Sequence, residues 1–524
     1  MQSHAMETRS AKRKKIAQIL QENEAKLKLS SIDRISDLPD HVIHHILLLL
    51  PIKCVAQMSV LSKRWKFLWI TFPDLDFTTL NPFPLISTKN YKKVSKFEKL
   101  RYPLSSQNMD FITQVLSIRD AKNKDIRALC FRACLSFSRL NNLVRNAIRH
   151  NVRELDIEVD TEVDTDDFFN FPRCVISSES LKVLKLKSGF RLPPSSIMRN
   201  GFQSLHTLSL SLVILYNQPS LSDLFSESSF PLLRNLHLDM CFGLIHLRVG
   251  CRALEDLNLE RCYHLQGLDV CGAKIERMRV TSCFDAYCNK TWVRMNVPKL
   301  EKLIWKFNAV TDVTVFENSN LLHEASIGFF MLKEGKVNMG RLQSANDFFS
   351  GLSHVRSLAL ESQTIEILSK YNIIIQPFYN LKSLELHTGL KKRNVQALAF
   401  LFRCSPTLHT LILEIINDYK IERKQWNRDL WSITSTEEEQ YWESQIPSLK
   451  SFLQHLKVVK IQGFLDCANE VTLAKFLLKH GKALEEMIVC SGYSNRRDSL
   501  RRQNIRSQMM GFSWASSNAK VEFQ

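Results

Sequence analysis

The sequence is poor in glycine and has no long apolar run, and these two absences exclude whole classes of protein. Only 15 of its 524 residues are glycine, and none belongs to a glycine-rich phosphate loop. The GxSxG and HExxH motifs of hydrolases are absent, and the 15 histidines follow no catalytic spacing. Apolar runs such as Ile46 to Pro51 are far shorter than the ~18–20 residues of a membrane-spanning helix. We therefore expect no catalytic residues, no cofactor, no metal and no membrane contact.

The charge is strongly positive and is spread along the chain. Lysine and arginine number 71 against 53 aspartates and glutamates, which gives a net charge of +18. No helix-turn-helix, zinc-finger or RNA-recognition signature accompanies this charge, so we expect no specific nucleic-acid binding. Attraction for acidic or phosphorylated protein segments is favoured instead.

Cysteine usage and the first residues bear on the cellular compartment. The 13 cysteines form no disulfide framework, and the basic, polar N-terminus lacks the apolar stretch of a secretory signal. This predicts reduced thiols and a location in the nucleus and/or cytoplasm. The basic cluster at 12–15 fits either a nuclear localisation signal or a solvated tail.

A six-residue phrase, apolar-x-x-apolar-x-apolar, returns along most of the chain. Ten copies are mostly 21 to 29 residues apart, the interval of leucine-rich repeats, in which each unit adds one strand to a parallel sheet. The sequence therefore predicts a solenoid. The copies occupy residues 152–157, 181–186, 205–210, 233–238, 254–259, 275–280, 300–305, 355–360, 381–386 and 408–413.

The coils between residues 233 and 283 are unusually short. Three copies there start 21 residues apart, and further apolar phrases at 244–249 and 265–270 fall midway between them. We interpret these coils as having a strand on both walls. Residues 138–150, in contrast, have helical character, so the solenoid is predicted to begin with alternating strands and helices.

Three cysteines occupy the ninth position of successive copies. Leucine-rich repeats place asparagine or cysteine there to hydrogen-bond the turning backbone. Cys241, Cys262 and Cys283 should therefore form a structural ladder at strand spacing, about 4.8 Å, and not a tetrahedral metal site. The acidic run at 156–167 lacks the glycine and the final glutamate of an EF-hand loop, which indicates a solvated loop between repeats.

A segment within the first seventy residues has the most distinctive pattern. Leu38 and Pro39 precede a leucine-rich stretch, and SVLSKRW follows at 59–65. Pro39 is predicted to open the first of three short helices, with Ser36 or Asp37 as its cap. Three such apolar helices bury too small a core alone, so they predict contact with another polypeptide.

This pattern resembles the F-box, a family motif that docks on a Skp-type adaptor and through it joins a cullin–RING ubiquitin ligase. Two positions depart from the pattern, since His41 and Cys54 stand where relatives commonly have acidic residues. The resemblance implies adaptor contacts along the helical segment. The implied contact residues are Leu38, Pro39, Val42, Ile46, Leu50, Pro51, Val55, Val60, Leu61, Trp65 and Leu68.

The chain beyond the tenth copy has a pattern of its own. A charged insert containing Trp426, Trp431 and Trp442 precedes a strand–helix–strand unit at 456–489. This order resembles the FBD domain that closes many plant F-box/leucine-rich-repeat proteins, and it implies a cap that covers the last strand edge. The tryptophans fit either a recognition loop or packing against this cap.

Basic side chains from distant repeats are predicted to meet on one face of the sheet. The third, fifth and seventh positions of each copy point away from the interior, because side chains alternate along a strand. We expect the resulting patch to receive an acidic or phosphorylated target segment, with the loops or the C-terminal cap as the alternative site. The candidate residues are Arg277, Arg279, Lys302, Lys306, Lys185 and His237.

Together these features predict an α/β protein in which a three-helix F-box is followed by a leucine-rich-repeat solenoid and an α/β cap. The F-box resemblance implies a non-catalytic substrate-recognition subunit of an SCF-type (Skp–cullin–F-box) ubiquitin ligase. Two alternatives remain, a basic nuclear scaffold associated with nucleic acid and a hormone-like small-molecule receptor on the same solenoid. The predicted divisions are a basic disordered tail (1–30), the F-box (31–77), the solenoid (100–435), an FBD-like cap (436–500) and a basic C-terminal tail (501–524).

Overall fold

A computed structural model describes most of the chain, which divides into two compact units, Met1–Cys130 and Phe131–Gln524. The predicted tail at 1–30, with its basic cluster, lies outside the described residues, as do Trp426 and Trp431. The described residues are 35, 37–78, 106–120, 125–161, 169–187, 189–193, 195–214, 224–317, 319–330, 339–371, 373, 376–390, 392–416, 436–464, 468–491, 503, 506–507 and 509–524.

Three short helices open the first unit, α1 (Asp40–Leu47), α2 (Ile52–Met58) and α3 (Lys63–Thr71). Pro39 occupies the N-cap position of α1 and no side chain caps this helix. The prediction that Asp37 caps this helix was therefore wrong, and Ser36, the other predicted cap, lies outside the described residues. Ser62 does cap α3, because its hydroxyl accepts a hydrogen bond from Trp65 N at 3.3 Å. We call α1, α2 and α3 together the helix cluster.

The rest of the first unit contains a strand pair and a longer helix. β1 (Asp74–Asp76) pairs in parallel with the start of β2 (Ala128–Leu135), which aligns Leu75 with Leu129. Between them in the chain comes α4 (Ser106–Asp120).

The second unit contains a large sheet whose strands all pair in parallel, as leucine-rich repeats require. Each strand has buried apolar residues alternating with partly exposed ones, the period of two that places one face inside. In spatial order the strands are β3 (Glu154–Thr161), β5 (Val183–Lys187), β7 (Thr207–Ser211), β9 (Asn235–Asp239), β11 (Asp256–Glu260), β13 (Arg277–Thr281), β15 (Lys302–Ala309), β17 (Glu324–Phe330), β18 (Ser357–Glu361), β19 (Ser383–Thr388), β20 (Thr410–Ile415), β21 (Val458–Phe464), β22 (Glu486–Ser491) and β23 (Lys520–Phe523).

A second parallel sheet forms the opposite wall of the short coils, as the midway phrases predicted. The strands of this sheet are β8 (Phe225–Ser226), β10 (His246–Gly250), β12 (Gly267–Cys271), β14 (Trp292–Asn296) and β16 (Val313–Glu317). A separate pair consists of β4 (Phe169–Asn170) and β6 (Phe190–Arg191).

Helices form the opposite wall of the other coils. The predicted early helix is present, and so is the helix predicted within the strand–helix–strand unit at 456–489. The other helices that follow β16 were not predicted from the sequence. α8 packs on β16, and α9 to α12 then pack on one another in succession. Their bounds are α5 (Phe137–Arg149), α6 (Arg173–Ile176), α7 (Ser195–Met198), α8 (Met339–Ser350), α9 (Ser362–Lys370), α10 (Lys392–Arg403), α11 (Thr436–His455) and α12 (Ala468–His480). No helix of the described residues is both long and apolar enough to cross a membrane.

The predicted repeat register is confirmed in the short coils. Leu257 on β11 is the strand partner of Leu236 on β9 and of Met278 on β13, and all three are buried. In five of the copies the backbone passes through the left-handed region at the residue in the eighth repeat position. These residues are Leu212, Met240, Arg261, Ser282 and Phe307, with φ between 50° and 61°.

The ninth position forms a buried ladder, and asparagine extends it. Cys241, Cys262 and Cys283 are buried, and each thiol donates to a carbonyl of the preceding coil at 3.5–3.7 Å. Asn308, which sequence analysis missed, occupies the ninth position of the next copy. Its Oδ1 accepts from Cys283 N at 2.8 Å, and its Nδ2 donates to Val280 O at 2.8 Å. Counting nine residues from Leu300 would have found it.

An ion pair ties α8 to the short coils. Arg341 Nε donates to Asp312 Oδ1 at 3.0 Å, and Arg341 Nη2 donates to Cys288 O at 2.7 Å. Burial alone would raise the pKa of Asp312, but the hydrogen bonds from Arg341 and Thr291 outweigh it and lower that pKa below its usual value. The carboxylate is thus a stabilising part of this junction.

The C-terminal region continues the same sheet. β21 pairs with β20, and β22 pairs with β21, in the register of the earlier coils. Trp442 is buried and stacks on Phe402 and Phe476, with ring centroids 6.0 and 5.2 Å apart. This tryptophan therefore packs in the core. Residues 501–524, assigned from sequence to a basic tail, include β23, which pairs with β22.

Candidate functional site

The helix cluster buries some of its apolar residues and presents others to solvent. Ile43, Leu47 and Ile52 are buried, whereas Leu49 and Val60 are each 85% exposed. Ile46, Leu61 and Phe67 are also exposed. Exposed large apolar side chains in this number are typical of surfaces that contact another protein.

The residues predicted to contact an adaptor fall into three groups. Pro39, Ile46, Pro51, Val60 and Leu61 are exposed, and Leu38, Val42, Leu50 and Trp65 are partly buried. Val55 and Leu68, however, are 1% and 0% exposed. For these two the contact prediction was wrong, because their side chains fill the interior between the helices. His41 and Cys54, the two departures from the F-box pattern, are both exposed.

Arg64 joins the two ends of the predicted contact surface. Its Nε donates to Asp40 Oδ1 at 3.0 Å and its Nη2 to the same oxygen at 2.7 Å, while Nη2 also donates to Leu38 O. The start of α1 is therefore held beside the start of α3, which Val60 and Leu61 immediately precede. Two segments separated in sequence thus contribute to one surface.

A buried arginine from α4 supports the helix cluster, and sequence analysis missed it. Arg119 is 1% exposed, and its Nη2 donates to Phe72 O at 2.6 Å and to Trp69 O at 3.2 Å. These carbonyls belong to the last turn of α3 and to Phe72, the residue after it, where helices leave acceptors without helical partners. Burial lowers the pKa of Arg119 to about 10, so it remains charged at neutral pH. No motif marks this residue in the sequence.

The outer sheet face, formed by the third, fifth and seventh positions of the repeats, contains the predicted basic residues. Arg277 is the strand partner of Lys302 on β15. Lys185 on β5 and His237 on β9 lie farther along the same sheet, with β7 between them. The structure thus brings four of the six candidates together and leaves the other two apart.

Carboxylates of neighbouring strands neutralise this basic patch. The acidic partners come from other coils, so the patch is not a free cationic surface. Outside the patch, Lys185 Nζ is paired in the same way, 3.0 Å from Glu154 Oε1. The four pairs within the patch are Arg277 Nε–Asp256 Oδ2 at 2.8 Å, Arg279 Nε–Glu260 Oε1 at 3.9 Å, Lys302 Nζ–Glu324 Oε1 at 2.6 Å and Lys306 Nζ–Glu361 Oε1 at 2.7 Å.

The pair between Lys306 and Glu361 spans an intervening strand. Lys306 is on β15, Glu361 on β18, and β17 runs between them. Gly328 occupies the facing position on β17, and a Cβ there would lie 2.8 Å from Glu361 Cγ. The missing side chain therefore gives the lysine access to a carboxylate two strands away.

His387 on β19 is surrounded by carboxylates on the same face. Its Nε2 is 2.8 Å from Glu385 Oε1 and 3.3 Å from Glu414 Oε2, and its Nδ1 is 3.3 Å from Glu361 Oε1. Among the described residues, Glu385, His387 and Glu414 have ligand atoms close enough to hold a metal ion. The same contacts hold an imidazole between carboxylates without an ion, so we assign no metal here.

An open cleft lies where β17, β18 and β19 begin. Its volume is about 410 Å³, and we call it the cation cleft because Arg356 and Lys382 line it. The described residues that line it are all of polar types, unlike the mostly apolar pockets that enclose small ligands, so the small-molecule alternative gains no support from it. The lining residues among those that the structure describes are Asn320, His323, His354, Arg356, Asn380 and Lys382.

Comparison with known proteins covers nearly the whole chain. The family model described as the At1g61320/AtMIF1 LRR domain matches residues 117–294 and 250–517, and the F-box domain model matches residues 35–75. A protein of Arabidopsis thaliana named as an F-box/FBD/LRR-repeat protein, At4g03220, is 47% identical over 526 residues, covering 99% of this chain and 100% of that protein. The F-box/FBD/LRR-repeat protein At3g26920 of the same plant is 27% identical over 467 residues, covering 87% of this chain and 89% of its own.

Proposed function

The chain belongs to the F-box/FBD/LRR-repeat proteins, and from this premise we propose that it is the substrate-recognition subunit of an SCF-type ubiquitin ligase. The helix cluster binds a Skp-type adaptor, and the leucine-rich repeats bind a target protein. The chain catalyses no step itself. Its place of action is the nucleus and/or cytoplasm, where such ligases meet their targets.

The observation that carries the proposal is the exposed apolar surface of the helix cluster. Val60 and Leu61 are 85% and 69% exposed, and Arg64 holds Leu38 beside the helix that follows them. Large apolar side chains in solvent are costly unless a partner covers them. A surface of this chemistry suits an adaptor that covers it with apolar residues of its own.

The proposed mechanism is positioning. A target held by the repeats has its lysines near a ubiquitin thioester carried by another subunit. Tethering converts an encounter in solution into one within a complex, which raises the effective concentration of the two reacting groups. The buried leucine core and the parallel backbone ladder give the repeats a fixed geometry for this task.

The test of this proposal is adaptor binding by the full-length chain and a double variant. Leu38→Ala with Pro39→Ala should abolish co-purification with a Skp-type adaptor while circular dichroism shows the repeats still folded. Undiminished co-purification of the double variant would contradict the proposal. Salt separates it from the nuclear-scaffold alternative, because nucleic-acid binding weakens steeply as salt rises, whereas an apolar interface does not.

A further inference from the structure

One residue of each repeat forms a continuous column along the edge where the strands begin. The residue at the second repeat position donates its backbone N–H to the carbonyl of the equivalent residue one coil earlier. Arg356 N donates to His323 O at 2.9 Å, Lys382 N to Arg356 O at 2.8 Å, and His409 N to Lys382 O at 3.1 Å. The side chains at this position are therefore stacked at the spacing of neighbouring strands.

Charge is segregated along this column. Successive coils first place Arg153, Lys182, His206 and Arg234 in the column, and the next three place Glu255, Glu276 and Glu301 there. The following five place only basic residues and histidines there. This second basic run is His323, Arg356, Lys382, His409 and Lys457.

The centre of the second basic run is the cation cleft. Arg356 and Lys382 are both exposed, and neither side chain forms a hydrogen bond or an ion pair with any residue that the structure describes. This contrasts with the outer sheet face, where the clustered cations have carboxylate partners. Arg356 and Lys382 are neighbours in the column, and their side-chain N–H groups are therefore available to a ligand.

The remaining lining of the cleft consists of further hydrogen-bond donors. Asn320 and Asn380 contribute side-chain amides, and His323 and His354 contribute imidazoles, all of them exposed. None of the residues that the structure describes brings a carboxylate into the cleft. The positive potential extends to His409, the next residue of the column. Burial lowers the pKa of His409, and the nearby charges of Lys382 and Lys457 lower it further.

We propose that the cation cleft binds a phosphoryl group carried on a segment of the target protein. A phosphate presents three strong acceptor oxygens and up to two charges. An arginine fork and a lysine beside it match such a group better than a single carboxylate. The acidic rungs Glu255, Glu276 and Glu301 repel the same segment, so it is held away from that part of the edge. This inference rests on the proposed function, which assigns a target protein to the repeats.

The chain offers a matched control for the test. Arg153 and Lys182 occupy the same repeat position on adjacent coils, are exposed, and line no cleft described here. Arg153→Gln with Lys182→Gln therefore makes the same change in charge as Arg356→Gln with Lys382→Gln. The probe is a library of nine-residue peptides with a fixed central phosphoserine, and the same library with serine is its reference.

The full-length chain should retain the phosphoserine library in preference to the serine library. Retention should fall about tenfold or more in the cleft variant and remain unchanged in the control variant. No preference for phosphoserine, or an equal loss in both variants, would overturn the proposal. A random single-stranded RNA that displaces the phosphopeptides and depends equally on Arg356 and Lys382 would also overturn it, in favour of a nucleic-acid site.

Two further measurements keep the outcome decisive. Thermal melting checks that the cleft variant is folded, and Asn380→Asp, which adds one negative charge to the cleft, should lower retention independently. Peptide retention is measured without the adaptor. Failure of adaptor binding would thus refute the proposed function, while the phosphopeptide result would still decide the inference.

Discussion

The exposed pair Val60 and Leu61 allows the proposed adaptor surface to be tested without disturbing the fold. Truncation to alanine removes two and three carbon groups, about 1.6 and 2.4 kcal/mol at ~0.8 kcal/mol per buried methylene. Only the surface still exposed, 85% and 69%, is available for an adaptor to cover. The double variant should therefore lose about 3 kcal/mol of binding free energy, roughly a 100-fold rise in Kd.

The matched comparison is a pair of buried residues from the same helix cluster. Val55→Ala with Leu68→Ala removes similar atoms from positions 1% and 0% exposed. Each large-to-small change in a core typically costs about 1–5 kcal/mol of folding stability. Titration calorimetry should show weaker adaptor binding by the Val60/Leu61 double variant. Thermal melting should show a lower melting temperature for the Val55/Leu68 double variant. An unchanged Kd for the exposed pair would refute the reasoning.

Three other predictions concern the repeats. Iodoacetamide should label the exposed Cys54 and Cys271 in the native protein but not Cys283, because burial keeps the Cys283 thiol inaccessible and raises its pKa. Labelling of Cys283 in the native protein would contradict the buried cysteine ladder. Asn308→Ala should lower the free energy of unfolding by about 2–4 kcal/mol, since it leaves buried backbone groups unpaired. Asn308→Cys should lower it by less, because cysteine hydrogen-bonds the backbone at the equivalent positions of earlier repeats. Equal losses for the two variants in urea unfolding would contradict this role of Asn308. Asp312→Asn should lower the free energy of unfolding at pH 7, and the difference in that free energy from wild type should shrink below about pH 4. The lowered folded-state pKa of Asp312 contributes stability that is lost as the carboxylate is protonated. A difference that stays constant on acid titration would exclude that role.

The repeat register was predictable because it depends on local chemistry. Leucine at fixed intervals and side-chain alternation are sufficient to place Leu236 against Leu257. Sequence analysis did not recognise the copy at residues 322–327, because it has Ala325 at the fourth position, where the other copies have a larger side chain. A small residue weakens the pattern without preventing the strand, because hydrogen bonds from its neighbours still pair it.

The charge of the outer sheet face was not predictable from single repeats. Glu361 follows Lys306 by 55 residues, and only the fold brings their side chains together. Burial in the helix cluster was hidden for a similar reason. Val55 and Val60 look equivalent in a short apolar sequence, and the packing of α2 against α3 decides which side chain is covered.

The lysine that reaches past Gly328 has a mechanical consequence. In a solenoid each coil normally touches only its neighbours, so coils can detach one at a time from an end. The pair between Lys306 and Glu361 instead links coils that are second neighbours, and His387 extends the link by one more. Pulled from its C-terminus, the sheet should give way around β15 to β19 as one block with a single force peak, whereas Glu361→Gln should divide that peak into smaller steps.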